Sequence, residues 1–279
     1  MINNYKNTGS TDSACSYKLS VILAHYNQAV FLDRTLASIA NQTFKDFELI
    51  IADDGSSDNT LEIIKKYPEL NIQFISQKHD GFGKSKILNK AILQAKSDYI
   101  VFIDSDCIVE KHFLWDHYQS KQEGCFLSGR RVYLGPIFTK TLINSNKNIA
   151  LLPLLWSALN KDTRNVNRSL RISSLFLRHL LGYHKLPDIL GSNFSVFKEY
   201  LLRVNGFNEE MTGRWGEDGD LFLRLRNCGY KLKSLKGIAV QYHQYHYRPE
   251  PKTEDTDWYY KKGLYEYDYK YCKNGISKK

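Results

Sequence analysis

Short apolar runs alternate with amphipathic segments through the first hundred residues of the chain. The runs are rich in β-branched residues and predict strands at 19–23, 47–52, 71–76 and 99–103. Between them, apolar residues recur three or four positions apart and predict helices over 30–41, 61–67 and 88–95. Strands that alternate with helices at this pace form a mostly parallel sheet with right-handed crossovers. The pattern therefore predicts an α/β fold.

Acidic residues follow two of these predicted strands directly. Asp53-Asp54 ends the second strand, and Asp104-Ser105-Asp106 ends the fourth. Ligands of open α/β sheets gather outside the carboxyl ends of the strands. Neighbouring carboxylates repel each other unless a cation lies between them, so this pattern indicates a divalent metal site. The alternative is a polar turn after a core strand, because Asp and Ser are common turn residues.

The pattern of alternating elements returns after residue 191. It predicts a strand at 192–197, a short helix at 201–204, a helix at 217–228 and a closing segment at 240–246. The helix at 217–228 begins on two acids, and the closing segment carries two histidines. We expect these elements to complete the domain that the first hundred residues begin.

Composition narrows the class of protein. With 42% hydrophobic and 25% charged residues, the chain has the make-up of an ordinary soluble domain. No apolar run approaches the roughly 20 residues that a spanning helix needs. Residues 1–17 are polar and carry no apolar signal-peptide core, so we expect a flexible leader. The five cysteines are scattered without zinc or disulfide spacing, which favours a reducing cytoplasm.

The formal charge of +9 is concentrated in one segment, residues 138–187, which carries a net charge of +7. Its arginines at 164, 168, 171 and 178 have a spacing that places them on one helical stripe. The pattern is typical of a basic amphipathic helix in a membrane interface, and equally of a solvated face on a packed helix. An anionic lipid surface or a phosphorylated acceptor would suit it. Nucleic acid is not expected, because the aromatic interleaving of a single-strand binder is missing.

Six motifs in sequence order resemble those of inverting family 2 glycosyltransferases. They are Ser20-Val-Ile-Leu-Ala-His-Tyr-Asn27, Gln42-Thr-Phe44, Ile51-Ala-Asp-Asp-Gly-Ser56, Asp104-Ser-Asp106, Val204-Asn-Gly-Phe-Asn-Glu209 and Trp215-Gly-Glu-Asp218. The resemblance covers roughly residues 19–246. The second half is most similar to the catalytic modules of chondroitin-type polymerases and to the β-galactosyltransferase C-terminal module. The resemblance implies a GT-A, Rossmann-like sheet flanked by helices, with a helical basic insertion.

The resemblance also implies where a UDP-sugar donor would bind. Tyr26 would stack on the uracil, and Asp54 would accept a hydrogen bond from its N3–H. Lys86 stands where family members place a basic residue near the nucleotide. Asp106 would bind a cation directly, and Asp104 would contact the ribose or reach the cation through water. The cation would bridge the two phosphates of the donor.

A further metal ligand is implied by the same resemblance. His243 matches the family's third ligand, and His246 is the alternative. Both Mn²⁺ and Mg²⁺ accept carboxylate and phosphate oxygens, and an imidazole ligand favours Mn²⁺.

The catalytic residues that the resemblance implies lie at the start of the helix at 217–228. Asp218 would be the general base that takes the proton of the acceptor hydroxyl, and Glu217 would hydrogen-bond the sugar or acceptor. The chain departs from the family here, because Arg214 occupies the usual Trp position and Trp215 lies one place nearer the acids. We expect Arg214, Trp215 and Asn193 to contact the substrate.

The expected function is a metal-dependent, inverting glycosyltransferase. It would move a sugar from a UDP-sugar to a hydroxyl of a glycan or lipid-linked acceptor in bacterial surface polysaccharide synthesis, in the cytoplasm or on the inner face of the membrane. Two alternatives are a sugar nucleotidyltransferase and a non-catalytic nucleotide-sugar or glycan-binding module. The first predicts a Gly-rich loop after the first strand, and the sequence His25-Tyr-Asn-Gln28 has no glycine.

The expected organisation divides the chain into five parts. The leader, the nucleotide-sugar-binding half, the basic acceptor- or membrane-facing segment, the catalytic acceptor-side half and a Tyr/Lys-rich tail occupy residues 1–17, 18–137, 138–187, 188–248 and 249–279. We assign no function to the tail.

Overall fold

The computed structural model describes residues 17–145, 149–186, 188–211, 216–247 and 268–278. The strands are β1 (Leu19–His25), β2 (Phe47–Asp53), β3 (Ile72–Ser76), β4 (Tyr99–Asp104), β5 (Cys107–Val109), β6 (Cys125–Ser128), β7 (Arg131–Tyr133), β8 (Phe194–Phe197), β9 (Lys231–Ser234) and β10 (Gln241–His243). The helices are α1 (Ala29–Ala40), α2 (Thr60–Ile64), α3 (Lys84–Gln94), α4 (Phe113–Ser120), α5 (Pro136–Ser145), α6 (Leu151–Leu159), α7 (Leu175–Leu180), α8 (Lys198–Arg203) and α9 (Glu217–Asn227). Two 3₁₀ helices lie at Pro68–Leu70 and Val166–Ser169.

Seven strands form the main sheet in the order β3-β2-β1-β4-β8-β6-β9. The first four strands run parallel to one another, and β8 runs antiparallel to both β4 and β6. A smaller sheet has the order β5-β10-β7, with β10 parallel to β7. The sheet confirms the predicted α/β fold with a mostly parallel sheet.

Apolar clusters cover both faces of the main sheet. The apolar stripe of α1, including Leu32 and Leu36, packs on one face together with Phe113 of α4. The apolar side of α3, including Ile87, packs on the other face with α8 and α9. Every residue of β1 is buried, as expected for a central strand covered on both faces. This packing leaves the carboxyl ends of the parallel strands as the accessible edge.

The helix predicted over 61–67 is shorter than the pattern suggested. It ends at Ile64, and Tyr67 has an extended φ of −122° before the 3₁₀ helix that begins at Pro68. The ring of a proline disfavours helical geometry in the preceding residue, which accounts for the interruption.

The prediction of a single basic helical stripe in residues 138–187 is wrong. Several short elements divide the segment, and its arginines have separate partners in the rest of the domain. Arg171 forms two hydrogen bonds with the buried carboxylate of Asp116, at 2.9 and 2.5 Å. Arg178 donates to the backbone carbonyl oxygens of residues 234 and 236. The regular spacing of these arginines in the sequence therefore does not reflect a continuous helix.

No helix in the described part of the chain has the length and apolar character required to cross a membrane.

A buried ion pair ties α9 to distant parts of the chain. Arg224 and Asp220 have fully buried side chains that lie one helical turn apart. The guanidinium also donates to the carbonyl oxygens of Val204 and Gly206 at 2.6 and 2.7 Å. The hydroxyl of Tyr269 donates to the other carboxylate oxygen of Asp220 at 2.7 Å. The described part of the C-terminal segment is thus joined to the helix that carries the predicted catalytic acids.

Candidate functional site

A cavity of about 730 Å³ opens at the carboxyl ends of β1, β2 and β4. The fold brings six predicted site residues to its wall, namely Tyr26, Asp54, Asp104, Asp106, Glu217 and Asp218. These residues are separated by up to 192 positions in the sequence and arrive on the ends of three strands and the start of α9. The expected clustering of acids at one edge of the sheet is therefore present.

Asp54 and Tyr26 both line the cavity, and both contact His79. The carboxylate of Asp54 accepts hydrogen bonds from the backbone N–H of Gly83 at 2.8 Å and from the amide of Gln77 at 2.6 Å. A Cβ on Gly83 would lie 2.3 Å from this carboxylate, so only glycine allows the approach. Tyr26 stacks on His79 with ring centroids 4.3 Å apart. A carboxylate has about four acceptor sites, so Asp54 can accept a further N–H.

The neighbouring acid, Asp53, has a different task. Its carboxylate accepts hydrogen bonds from the backbone N–H groups of Gly55 and Ser56 and from the hydroxyl of Ser76. Gly55 adopts a positive φ of 83° in the same turn. Asp53 therefore fixes the turn that presents Asp54 to the cavity.

Asp106 lies in a group of metal-ligating side chains with His243 and His246. One carboxylate oxygen is 3.1 Å from Nε2 of His243 and 2.8 Å from Nε2 of His246. The three ligand atoms lie within 4.8 Å of one another. The small sheet produces this arrangement, because β10 pairs His243 with Cys107, the residue after Asp106.

The hydrogen bonds of His246 indicate which of its nitrogens could bind a metal. Its Nδ1 is 3.1 Å from the carbonyl oxygen of Tyr247, which can only accept, so Nδ1 carries the proton. Its Nε2 lies 2.8 Å from a carboxylate oxygen of Asp106, so Nε2 is the nitrogen directed to a cation that Asp106 would bind. Two imidazoles and one carboxylate fit Mn²⁺ better than Mg²⁺, which prefers an all-oxygen shell.

Asp104 is not in that group, although the resemblance implied a role near the metal. Its carboxylate lies 3.3 Å from Nζ of Lys84, which also lies 3.2 Å from the carboxylate of Glu217. Burial lowers the pKa of Lys84, but the two carboxylates outweigh this effect and hold the pKa above its ordinary value. Lys84 thus joins Asp104, at the end of β4, to the first turn of α9.

The expected nucleotide-side lysine, Lys86, does not line the cavity, and Lys84 does. Both lie in the first turn of α3, where residues two positions apart point to different sides of a helix. Lys86 is exposed to solvent on the outer side. The position of Lys84 could be read from the sequence only if the first residue of α3 were known.

Glu217 is a buried acid and Asp218 a half-buried one, both on the first turn of α9. Asp218 accepts a hydrogen bond from the backbone N–H of Gly191 at 2.8 Å, and a Cβ on Gly191 would lie 2.1 Å from its carboxylate. Burial raises the pKa of Asp218, with Lys84 opposing the rise. Burial also raises the pKa of Glu217 to about 7, again opposed by Lys84. Both carboxyls are therefore stronger bases than exposed acids.

Of the three residues expected to contact the substrate, the structure describes Asn193. Asn193 is fully buried outside the cavity wall, where its amide donates to the carbonyl oxygen of Ala239 and its oxygen lies 3.1 Å from His117. The structure thus places Asn193 away from the cavity wall, with its hydrogen-bonding groups engaged in the core. Arg214 and Trp215 lie outside the described residues.

Arg131 is a second cationic residue of the cavity, after Lys84, that the sequence did not indicate. Arg131 is buried beside Asp106, and its guanidinium donates to the hydroxyl of Ser192 at 3.1 Å. Burial lowers the pKa of Arg131, but nearby acidic groups outweigh it and raise the pKa. No local motif distinguishes Arg131 from the adjacent Arg130.

Two family models match the chain. Residues 20–201 match the model of glycosyl transferase family 2. Residues 171–247 match a second model, described as the N-terminal domain of galactosyltransferase.

Curated relatives and solved structures agree with these matches. The chain is 29% identical to chondroitin synthase of Escherichia coli over 257 residues, which is 86% of this chain and 36% of that protein. It is 29% identical over 220 residues to the GalNAc(5)-diNAcBac-PP-undecaprenol beta-1,3-glucosyltransferase of Campylobacter jejuni, which is 78% of this chain and 61% of that protein. The crystal structure of S. aureus TarS 1–349 in complex with UDP-GlcNAc superimposes with a TM-score of 0.58 at 21% identity, covering 83% of this chain and 60% of that one. The last likeness confirms the GT-A fold, and the chain spans less than two thirds of each of these proteins.

Proposed function

The chain belongs to glycosyl transferase family 2, and from that premise we propose that it is a metal-dependent, inverting enzyme that uses a UDP-sugar. The acceptor would be a hydroxyl group of a glycan or of a lipid-linked saccharide. The observation that carries the proposal is the sharing of one cavity by Asp54, the Asp106 group and Asp218. Asp54 would bind the uracil, the Asp106 group the diphosphate through a cation, and Asp218 the proton of the acceptor hydroxyl.

The donor end is assigned by the hydrogen-bonding chemistry of its residues. Tyr26 stacks on the uracil, and Asp54 accepts the uracil N3–H. Lys84 and Arg131 line the cavity and would supply positive charge to the diphosphate. Asp104 contacts the ribose, or the cation through water.

Asp106, His243 and His246 would hold the cation, with Mn²⁺ favoured by the two imidazoles. When bound, the cation would neutralise the charge that grows on the diphosphate as it leaves. Asp104 would not bind the cation directly, because its carboxylate is paired with Lys84.

Asp218 is the proposed general base. The acceptor oxygen attacks the anomeric carbon of the sugar, the bond from that carbon to UDP breaks, and Asp218 takes the hydroxyl proton. Attack from the side opposite the leaving group turns an α-linked donor into a β-linked product. The backbone N–H of Gly191 orients the carboxylate, and its raised pKa strengthens it as a base. Glu217 hydrogen-bonds the sugar or the acceptor.

The names of two relatives support the proposed biological setting. Because those proteins synthesise chondroitin or extend an undecaprenol-linked saccharide, we place the chain in bacterial surface polysaccharide synthesis on the cytoplasmic side of the membrane.

The test is sugar transfer, or hydrolysis of the donor, with a panel of UDP-sugars and Mn²⁺. Asp218→Asn should lower kcat by about 10²–10⁴-fold, the usual contribution of a general base, while UDP affinity stays unchanged. Asp98→Asn is the matched control, because Asp98 is exposed. An Asp218→Asn protein with full activity would contradict the base assignment. Calorimetry that detects UDP binding without turnover of any donor would favour a non-catalytic module.

A further inference from the structure

Large apolar side chains are exposed on α6 and α7. Six of them have 70–79% of their surface exposed, namely Leu152, Trp156, Leu159, Leu175, Phe176 and Leu180. We call these six side chains the apolar surface. Soluble proteins seldom expose large apolar groups in such number within one short segment unless that segment contacts a partner or a membrane.

The opposite sides of both helices are fixed to the domain. Leu154 of α6 is buried against Val132 and Tyr242 of the small sheet. α7 is held by Arg178, whose guanidinium donates to two backbone carbonyl oxygens, and by Tyr183, which packs against Gly237. The apolar surface is therefore presented by anchored helices.

The apolar surface could be covered by a second copy of the chain or by a lipid bilayer, and the charge around it distinguishes the two. Residues 149–186 contain six Lys or Arg and a single acid, Asp162, and five of the six remain once Arg171, which is paired with Asp116, is set aside. Asp162 is engaged, since it accepts hydrogen bonds from the N–H of Phe138 and the hydroxyl of Ser157. Lys161 follows α6 and Lys185 follows α7. A second copy of the chain would bring these basic segments together, whereas an anionic bilayer supplies the opposite charge.

We propose that α6 and α7 dock the protein on an anionic lipid bilayer, with the apolar surface inserted at the headgroup–acyl boundary. Interfacial helices bind in this way when apolar side chains and basic residues act together. α6 packs on the small sheet that also carries His243 and Arg131. Docking would therefore hold the cavity close to the membrane. The inference that the acceptor is lipid-linked rests on the proposed function, whereas the inference that the chain docks on a bilayer does not.

Vesicle flotation tests the proposal with the full chain. Vesicles of phosphatidylcholine with phosphatidylglycerol should carry the protein upward, and vesicles of phosphatidylcholine alone should bind it at least tenfold less. The triple variant Leu152→Gln/Trp156→Gln/Phe176→Gln should lose at least tenfold in binding. Leu93→Gln is the matched control, since Leu93 is an exposed leucine on α3, and it should bind as the native chain does.

A second readout reports insertion directly. Brominated acyl chains quench an indole that reaches them, so part of the fluorescence of the native protein should be quenched and Trp156→Phe should remove that part. Urea unfolding and UDP binding of each variant in solution establish that it is folded with an intact cavity.

Three results would overturn docking: no binding of the native chain to anionic vesicles, equal binding by the triple variant, or a native dimer that this variant dissociates. If the native chain bound anionic vesicles but transferred no sugar from any donor, that result would count against the proposed function alone.

Discussion

The carboxyl group of Glu217 allows a quantitative test of the electrostatics of the site. Burial raises its pKa from the ordinary 4.5 to about 7. The folded chain therefore binds this proton more tightly than the unfolded chain does. Each pKa unit corresponds to about 1.4 kcal/mol, so ionising the buried carboxyl costs about 3 kcal/mol. This cost is absent well below pH 4.5 and complete above pH 7, so the native chain loses stability as pH rises through that window.

Replacing Glu217 with Gln removes the titration and keeps the shape of the side chain. We expect the free energy of unfolding of Glu217→Gln, relative to the native chain, to rise by about 2–3 kcal/mol between about pH 5 and about pH 8. Urea unfolding at both pH values measures this difference. Glu62→Gln removes an exposed carboxylate and should change it by less than about 0.5 kcal/mol. A Glu217→Gln difference that is equal at both pH values would refute the argument.

Two further substitutions test the donor side and the frame of α9. Lys84→Met should weaken the binding of UDP with Mn²⁺ by about tenfold or more in calorimetry, because a charged hydrogen bond is worth about 1.5–3 kcal/mol. Lys86→Met is the control and should leave this affinity unchanged, since Lys86 is exposed. Equal losses in the two variants would count against Lys84. Arg224→Met should lower the free energy of unfolding by about 3–5 kcal/mol, because it leaves Asp220 charged and buried without its partner. Arg224→Met/Asp220→Leu should recover much of that loss in urea unfolding, and a double variant no more stable than the single one would contradict this reason.

The parallel strands were predictable because their signal is local. β1 and β4 are buried on both faces, so each appears in the sequence as a continuous apolar run, and the acids that follow mark the carboxyl edge. Asp54, Asp106 and Asp218 all reach the cavity wall as expected, although their roles stay predictions.

Other features depend on geometry that the sequence does not contain. β5 and β7 have three residues each, too few to show a period, so the small sheet that brings His243 to Asp106 was missed. Whether Lys84 or Lys86 lines the cavity depends on where α3 begins, and helix boundaries are the least certain part of a prediction from sequence. Asn193 shows the same limit, because its partner His117 lies far away in the sequence.

The hydrogen bond from Tyr269 to Asp220 has a consequence for anyone who wishes to excise the catalytic unit. The two family matches together extend to residue 247, so a boundary taken from them would remove residues 268–278. Such a truncation would leave one oxygen of a fully buried carboxylate without its donor, a loss of about 1–3 kcal/mol. It would also remove the carbonyl oxygens that the side chain of Asn205 binds. The region that the family models match is therefore shorter than the region that the fold needs.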